Sequence, residues 1–314
     1  MRHAKLKLLV LGGRGFLGSN LGQYLKLGRD LQVKSASNSG LSGVSARNGS
    51  PQSFYFPIID DWKPHVIVNC VALVGHSLCD ENPELALAVN SHFIDQLAAK
   101  ASKSQTKLIH FSTDAVFSGL NNPLSKYDEN DTPEPFSNYG SSKLLGEHAA
   151  LAASNQNLVL RTNFFGWSPT GEQGVLEYFL RGVSRPETTI GYGNYVVTSG
   201  FVGDIATSLV EILARDLGGL FHLTSEDSMS KYEFGANAAR VFGFNKALLV
   251  DRPPSAWATS GVKQRDLSLS NQKLLGLGVT VPSQVMGIEN SRREMRNMIA
   301  NGALPPTDWR RTLC

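Results

Sequence analysis

No apolar run in this 314-residue chain approaches the ~18 to 20 residues that cross a bilayer. The best candidate, VIVNCVALVG at 66–75, is short and carries Asn69 in its middle. Cysteine is scarce: Cys70, Cys79 and Cys314 form neither a metal-binding spacing nor a disulfide framework. An excess of one charge is also missing. Lys and Arg number 30 against 27 Asp and Glu, and a net +3 is too weak to argue for nucleic acid or an anionic membrane as partner. There is no internal repeat, low-complexity tail or Pro/Gly linker that would split the chain cleanly. The N-terminus MRHAKLKLLVLGG faintly mimics a signal peptide, but a glycine turn follows five apolar residues, so a first β-strand is the better reading. These absences point to a protein of the reducing cytoplasm. Its hydrophobic content of 41% is enough to bury a real core.

The first half alternates strand and helix patterns. Residues 5–11, 32–36, 65–72, 107–112 and 158–162 read as strands. Residues 16–27, 83–101 and 139–154 read as helices, while 35–53 and 118–138 read as loops. Alternation of this kind implies a doubly wound, Rossmann-type α/β fold with a parallel sheet and right-handed crossovers. Beyond about residue 163 the pattern is mixed, with a strand at 219–225 and a helix at 230–243. The expected division is a dinucleotide-binding domain at 1–165 and a smaller, interwoven α/β substrate lobe at 166–314. Segments around 196–215 are expected to return to the first domain.

Gly12, Gly15 and Gly18 have the spacing G-x-x-G-x-x-G directly after a strand and at a helix start. Glycines there permit a tight turn, close approach of backbone N–H groups to a pyrophosphate, and tight helix–strand packing. The helix N-terminus adds about half a positive charge toward the anion. An NAD site usually places an acid after the second strand; VKSASNSG has none and offers Lys34, Ser35, Ser37 and Asn38. Arg14 is placed to fork onto a 2′-phosphate. Both features lean toward NADP(H), with NAD(H) kept as the alternative; Arg14 and Lys34 as plain solvated charges is the bland reading.

Tyr139 and Lys143 are four apart on a predicted helix, hence on one face. A nearby ammonium should lower the phenol's pKa from about 10 and fit it for proton exchange. Y-x-x-x-K alone is common, and its weight comes from the glycine motif, the long loop and the strand end FSTDAVF at 111–117. In a parallel sheet ligands lie beyond the strands' carboxyl ends, which places Thr113 to hydrogen-bond a substrate oxygen. A Ser/Thr pair that only satisfies loop backbone is the alternative.

Together LGGRGFLG (11–18), PHVIVNCVA (64–72), CDENPELALAVN (79–90), FSTDAVF (111–117), YGSSKLLGE (139–147) and LRTNFFG (160–166) resemble the extended short-chain dehydrogenase/reductases. The narrower resemblance is to the dTDP-4-dehydrorhamnose reductase branch, with weaker matches downstream at 198–206, 219–225 and 263–274. It implies Tyr139 as proton donor, Lys143 lowering its pKa and binding the nicotinamide ribose, and Thr113 holding the substrate oxygen. Gly12, Arg14, Gly15, Phe16, Leu17 and Gly18 would cradle the cofactor, with Val71 and Ala72 along it and Asn163 near its nicotinamide end. The implied reaction is NADPH-dependent reduction of a 4-keto group on a nucleotide-linked deoxysugar. No metal ligands are assigned, and a homodimer is left open.

Three departures bear on the sugar. Ala115 stands where the branch has Tyr, Phe164 where it has Trp, and His76 where a small apolar residue is usual. They imply a reshaped pocket and a substrate other than the rhamnose precursor, such as a branched or amino sugar nucleotide; for His76, a helix-cap role is equally open. A 4,6-dehydratase would need a carboxylate at position 115, and a 4-epimerase would need tightly held NAD. The regulatory β subunit of methionine adenosyltransferase looks like the same branch and gives a non-catalytic alternative.

Overall fold

The structure, a computed structural model, describes residues 5–37, 50–120, 126–185, 188–254, 262–304 and 308–313. Asn38 and Cys314, most of the expected loop at 35–53, and residues 121–125 of the expected loop at 118–138 lie outside the described residues. The chain divides into two compact units, the first made of residues 1–118, 129–162 and 206–222.

The first unit is built on a six-stranded sheet: β1 (Leu6–Leu11), β2 (Leu31–Ala36), β3 (Val66–Asn69), β4 (Lys107–Thr113), β5 (Leu158–Thr162) and β6 (Gly219–His222). Its order is β6-β5-β4-β3-β1-β2, and every neighbouring pair is parallel. Leu8, Leu9, Val10 and Leu11 are buried, as are Val66, Ile67 and Val68, which explains the continuous apolar runs in the sequence. The strand order reverses at β1: the chain first goes to β2 on one side and then to β3 on the other. Such a reversal opens a crevice at the strands' carboxyl ends.

The helices are α1 (Phe16–Leu25), α2 (Pro51–Trp62), α3 (His76–Glu81), α4 (Pro83–Leu87), α5 (Phe93–Lys103) and α6 (Asn138–Ala153). Among the boundaries that differ from the sequence reading, three show what packing adds. Residues 51–53 open α2, with Pro51 in its first turn, rather than closing a loop. β3 ends at Asn69, because residues 70–75 leave the sheet. The helix expected at 83–101 is interrupted by a π-helical turn at Ala88–His92. Asn90 sits in that turn, and its amide pairs with both the N–H and the C=O of Leu73, at 2.8 and 2.9 Å. The wide turn thus points a buried polar side chain at a backbone that no strand neighbour satisfies.

The second unit comprises residues 119–128, 163–205 and 223–314. Its strands are short. Tyr195–Val197 lies between Met229–Ser230, antiparallel, and Arg265–Asp266, parallel. Thr189–Gly191 pairs with Leu249–Asp251, and Phe164–Phe165 with Gly200–Phe201. Helix Lys231–Phe242, within the span expected at 230–243, starts with a Ser230/Glu233 capping box and stops at Gly243. Phe165 and Phe234, both buried, meet edge to face at 4.9 Å.

Candidate active site

The turn after β1 supplies a cradle. Gly12 has φ of +80°, a conformation natural to glycine. A Cβ on Gly12 would stand 3.0 Å from the Cys70 carbonyl group, and one on Gly18 would stand 2.4 Å from the Gly12 oxygen. The glycines therefore bring three pieces of backbone together: the turn, the start of α1, and the stretch leaving β3. Gly15 precedes α1, whose N-terminus has no side-chain cap and no acid in its first turn. That leaves its end fitted to receive a phosphate. Phe16 begins α1, Leu17 is buried, and Arg14 is exposed beside the turn. Val71 is buried and Ala72 half-buried on the stretch that faces Gly12.

β2 contributes differently from the sequence reading. Ser35 borders the cradle, its Cβ lying 2.9 Å from where a Cβ on Gly13 would be. Lys34, on the alternate face of the strand, holds its ammonium over the Trp62 ring at 5.9 Å. The β2 side chain beside the turn is therefore neutral and small.

Thr113 ends β4, buried, and Tyr139 lies in the first turn of α6, half-buried. The Thr113 hydroxyl is hydrogen-bonded to Tyr139, reaches Asp114 at 3.1 Å, and accepts from the Ala115 N–H at 3.1 Å. Close approach of α6 depends on Gly140, where a Cβ would fall 2.1 Å from the Ala115 oxygen. Ser137 caps α6 by accepting from the Gly140 N–H, and it meets His76 Nδ1 at 2.8 Å. His76 stacks on Phe136 at 5.0 Å and meets the Tyr139 ring edge at 5.6 Å. The structure thus gathers Thr113, Tyr139, Lys143, His76 and Ala115 around one helix start. Asn163 and Phe164 fall in the second unit. Asn163 accepts from Gly200 N–H through its backbone and from Ser199 through its side chain, and Phe164 is half-buried in a short strand.

Lys143 is buried; its Nζ donates to the Phe111 carbonyl at 2.7 Å and stands 3.4 Å from His110 Nε2. Burial lowers its ammonium to about 8. The phenol departs from the acidified state expected from the sequence. Burial, with the Asp114 charge adding to it, raises Tyr139 to about 12. Desolvation of the phenolate outweighs the Thr113 hydrogen bond, which acts to lower it.

Spacing could not reveal the buried polar groups beneath this pair. Asn69, His110, Asn90, Glu147 and Arg161 are all buried and hydrogen-bonded. Asn69 and His110 did carry a signal, since a polar residue inside an otherwise apolar strand needs a partner. Among the described residues, no group of three or more His, Cys, Asp or Glu is arranged to hold a metal, and no helix is long and apolar enough to cross a membrane.

Comparison with known proteins agrees with this fold. The family described as RmlD substrate binding domain matches residues 6–299. The chain is 29% identical over 236 residues to the dTDP-4-dehydrorhamnose reductase of Aggregatibacter actinomycetemcomitans, covering 73% of this chain and 76% of that one. It is 31% identical over 231 residues to methionine adenosyltransferase 2 subunit beta of Danio rerio, covering 71% and 70%. The crystal structure of dTDP-4-dehydrorhamnose reductase from Bacillus anthracis in complex with NADP superposes with a TM-score of 0.80 at 20% identity, over 92% of this chain and 99% of that one. The chain therefore belongs to the RmlD substrate-binding family, the dTDP-4-dehydrorhamnose reductase-like branch of the extended short-chain dehydrogenase/reductases.

Proposed function

We propose that this protein is an NADP(H)-dependent reductase acting on the 4-keto group of a nucleotide-linked deoxysugar. The observation that carries the reading is the grouping of Thr113, Tyr139 and Lys143 at the carboxyl end of a parallel sheet whose first turn is a glycine cradle. The dinucleotide suits that cradle: Gly12, Gly15 and Gly18 leave the backbone open, and the uncapped α1 N-terminus meets a pyrophosphate. Arg14 and the neutral Ser35 favour a 2′-phosphate over an acid-bound ribose. The NADP carried by the Bacillus anthracis relative supports the choice, with NAD(H) as the alternative. Bound there, the reduced nicotinamide supplies the hydride.

Thr113 orients the keto oxygen, and Tyr139 gives its phenolic proton to that oxygen as the carbon accepts the hydride. A phenol at about 12 carries its proton throughout the neutral range, which suits a donor in the reducing direction. Lys143 holds the ribose. His76 and Ala115 are assigned to the sugar. A small Ala115 and an imidazole beside the phenol suit a bulkier or more polar sugar than the rhamnose precursor.

A second reading, a regulatory subunit that binds the dinucleotide without turnover, is favoured by the 31% identity to methionine adenosyltransferase 2 subunit beta. NADPH oxidation measured with a panel of 4-keto-sugar nucleotides separates the two. Substrate-dependent oxidation supports the reductase. Its absence across the panel, together with a stoichiometric complex with a methionine adenosyltransferase catalytic subunit, supports the regulator.

A further inference from the structure

The buried polar groups beneath the phenol and amine share one direction. The Val71 N–H donates to Asn69 Oδ1 at 3.2 Å, which turns the Asn69 NH2 group onto His110 Nδ1 at 3.0 Å. An NH2 group only donates, so Nδ1 must present its lone pair. Burial holds the His110 ring well below the usual histidine range, hence neutral. A neutral imidazole has one N–H, and with Nδ1 accepting, that proton sits on Nε2. Nε2 is the atom 3.4 Å from Lys143 Nζ. An ammonium there would set two donors face to face, whereas a neutral amine would offer a lone pair to the ring proton.

We propose that Asn69 and His110 are positioning residues for the reaction, presenting a fixed Nε2–H to Lys143 and so favouring its amine over its ammonium form. The other groups on Lys143 are accounted for. From α6, Glu147 favours the ammonium, but its carboxylate is held by Arg161 and Ser112; Tyr139 is a neutral phenol. From β4, the Phe111 carbonyl accepts one N–H in either form. From the stretch after β3, Cys70 is a thiol that burial raises to about 12, hence uncharged. The Asn69–His110 pair starts from the Val71 backbone, on the strip assigned to the cofactor, and ends at the catalytic amine. Its consequence for turnover rests on the reductase reading; the protonation itself does not.

The test uses the full-length protein without substrate. Two-bond proton–nitrogen correlations of labelled histidine report which His110 nitrogen carries the proton. The Lys143 Cε resonance, identified by its loss in Lys143→Arg, reports the amine's titration midpoint. The wild type should show Nε2–H. In Asn69→Asp the carboxylate can only accept, so the ring proton should move to Nδ1 and the midpoint should rise by about one pH unit. Asn69→Ala, which adds no charge, should raise it in the same direction by less. An Nδ1–H ring in the wild type overturns the proposal, and that measurement needs no variant to fold. A moved ring proton with an unmoved midpoint also overturns it, as does a rise in Asn69→Asp alone without ring-proton movement. Absence of turnover on every keto-sugar would retire the reductase reading and leave these measurements standing.

Discussion

At the scale of single residues, the phenol and the guanidinium separate chemistry from cofactor choice. Tyr139→Phe removes the transferable proton and leaves the ring in place. Turnover should fall by about 10²- to 10⁴-fold while NADPH affinity stays within a few-fold, read by steady-state kinetics and fluorescence titration. Arg14→Ala should weaken NADPH about tenfold and NADH little, because only the former carries the 2′-phosphate; equal weakening in the two titrations would remove that role. That Tyr139 and Lys143 share a helix and that Thr113 ends a strand was legible in the sequence, because helix and strand periodicities set their neighbours. The direction of the Tyr139 shift was not, because burial is a property of packing. The turn of Lys34 onto Trp62 was equally hidden, since it depends on where α2 lies.

At the scale of elements, α6 is the part that holds the site together. Gly140→Ala places a methyl group against the Ala115 carbonyl, so the first helical turn must shift. A loss of about 1–3 kcal/mol in urea denaturation is expected, with reduced turnover because Tyr139 is the neighbouring residue. Further along α6, Glu147 takes three contacts from Arg161, the shortest 2.7 Å, and one from Ser112 at 2.5 Å. Glu147→Gln leaves a buried guanidinium without its countercharge and should cost about 3–5 kcal/mol by the same measurement. The strands of the central sheet and helices α1, α5 and α6 were readable, because buried parallel strands are continuous apolar runs and helical patterns recur between them. The π-turn at Ala88–His92 was not, because it is set by what Asn90 reaches for on residue 73, far along the chain.

At the scale of the whole molecule, stability should carry the imprint of the buried amine. Lys143 stands at about 8 in the folded chain against 10.5 ordinarily. Between those values the unfolded chain binds more protons, so this group's contribution to stability rises with pH across that window. In Lys143→Met the rise is lost. Urea midpoints at about pH 7.5 and about pH 9.5 should therefore shift in favour of the wild type as pH increases. Tyr139, Cys70 and Cys79 are raised and act in the opposite sense at alkaline pH, but they are present in both proteins. The second unit was the least legible part, because strands of two or three residues are too short to show a period.

The central sheet takes its last strand late. β5 ends at Thr162, residues 163–205 belong to the other unit, and β6 begins only at Gly219. During synthesis the ribosome must release the chain past residue 222 before β5 loses its open edge. Until then a nascent polypeptide offers a bare row of amide and carbonyl groups to any neighbour, a natural station for a chaperone.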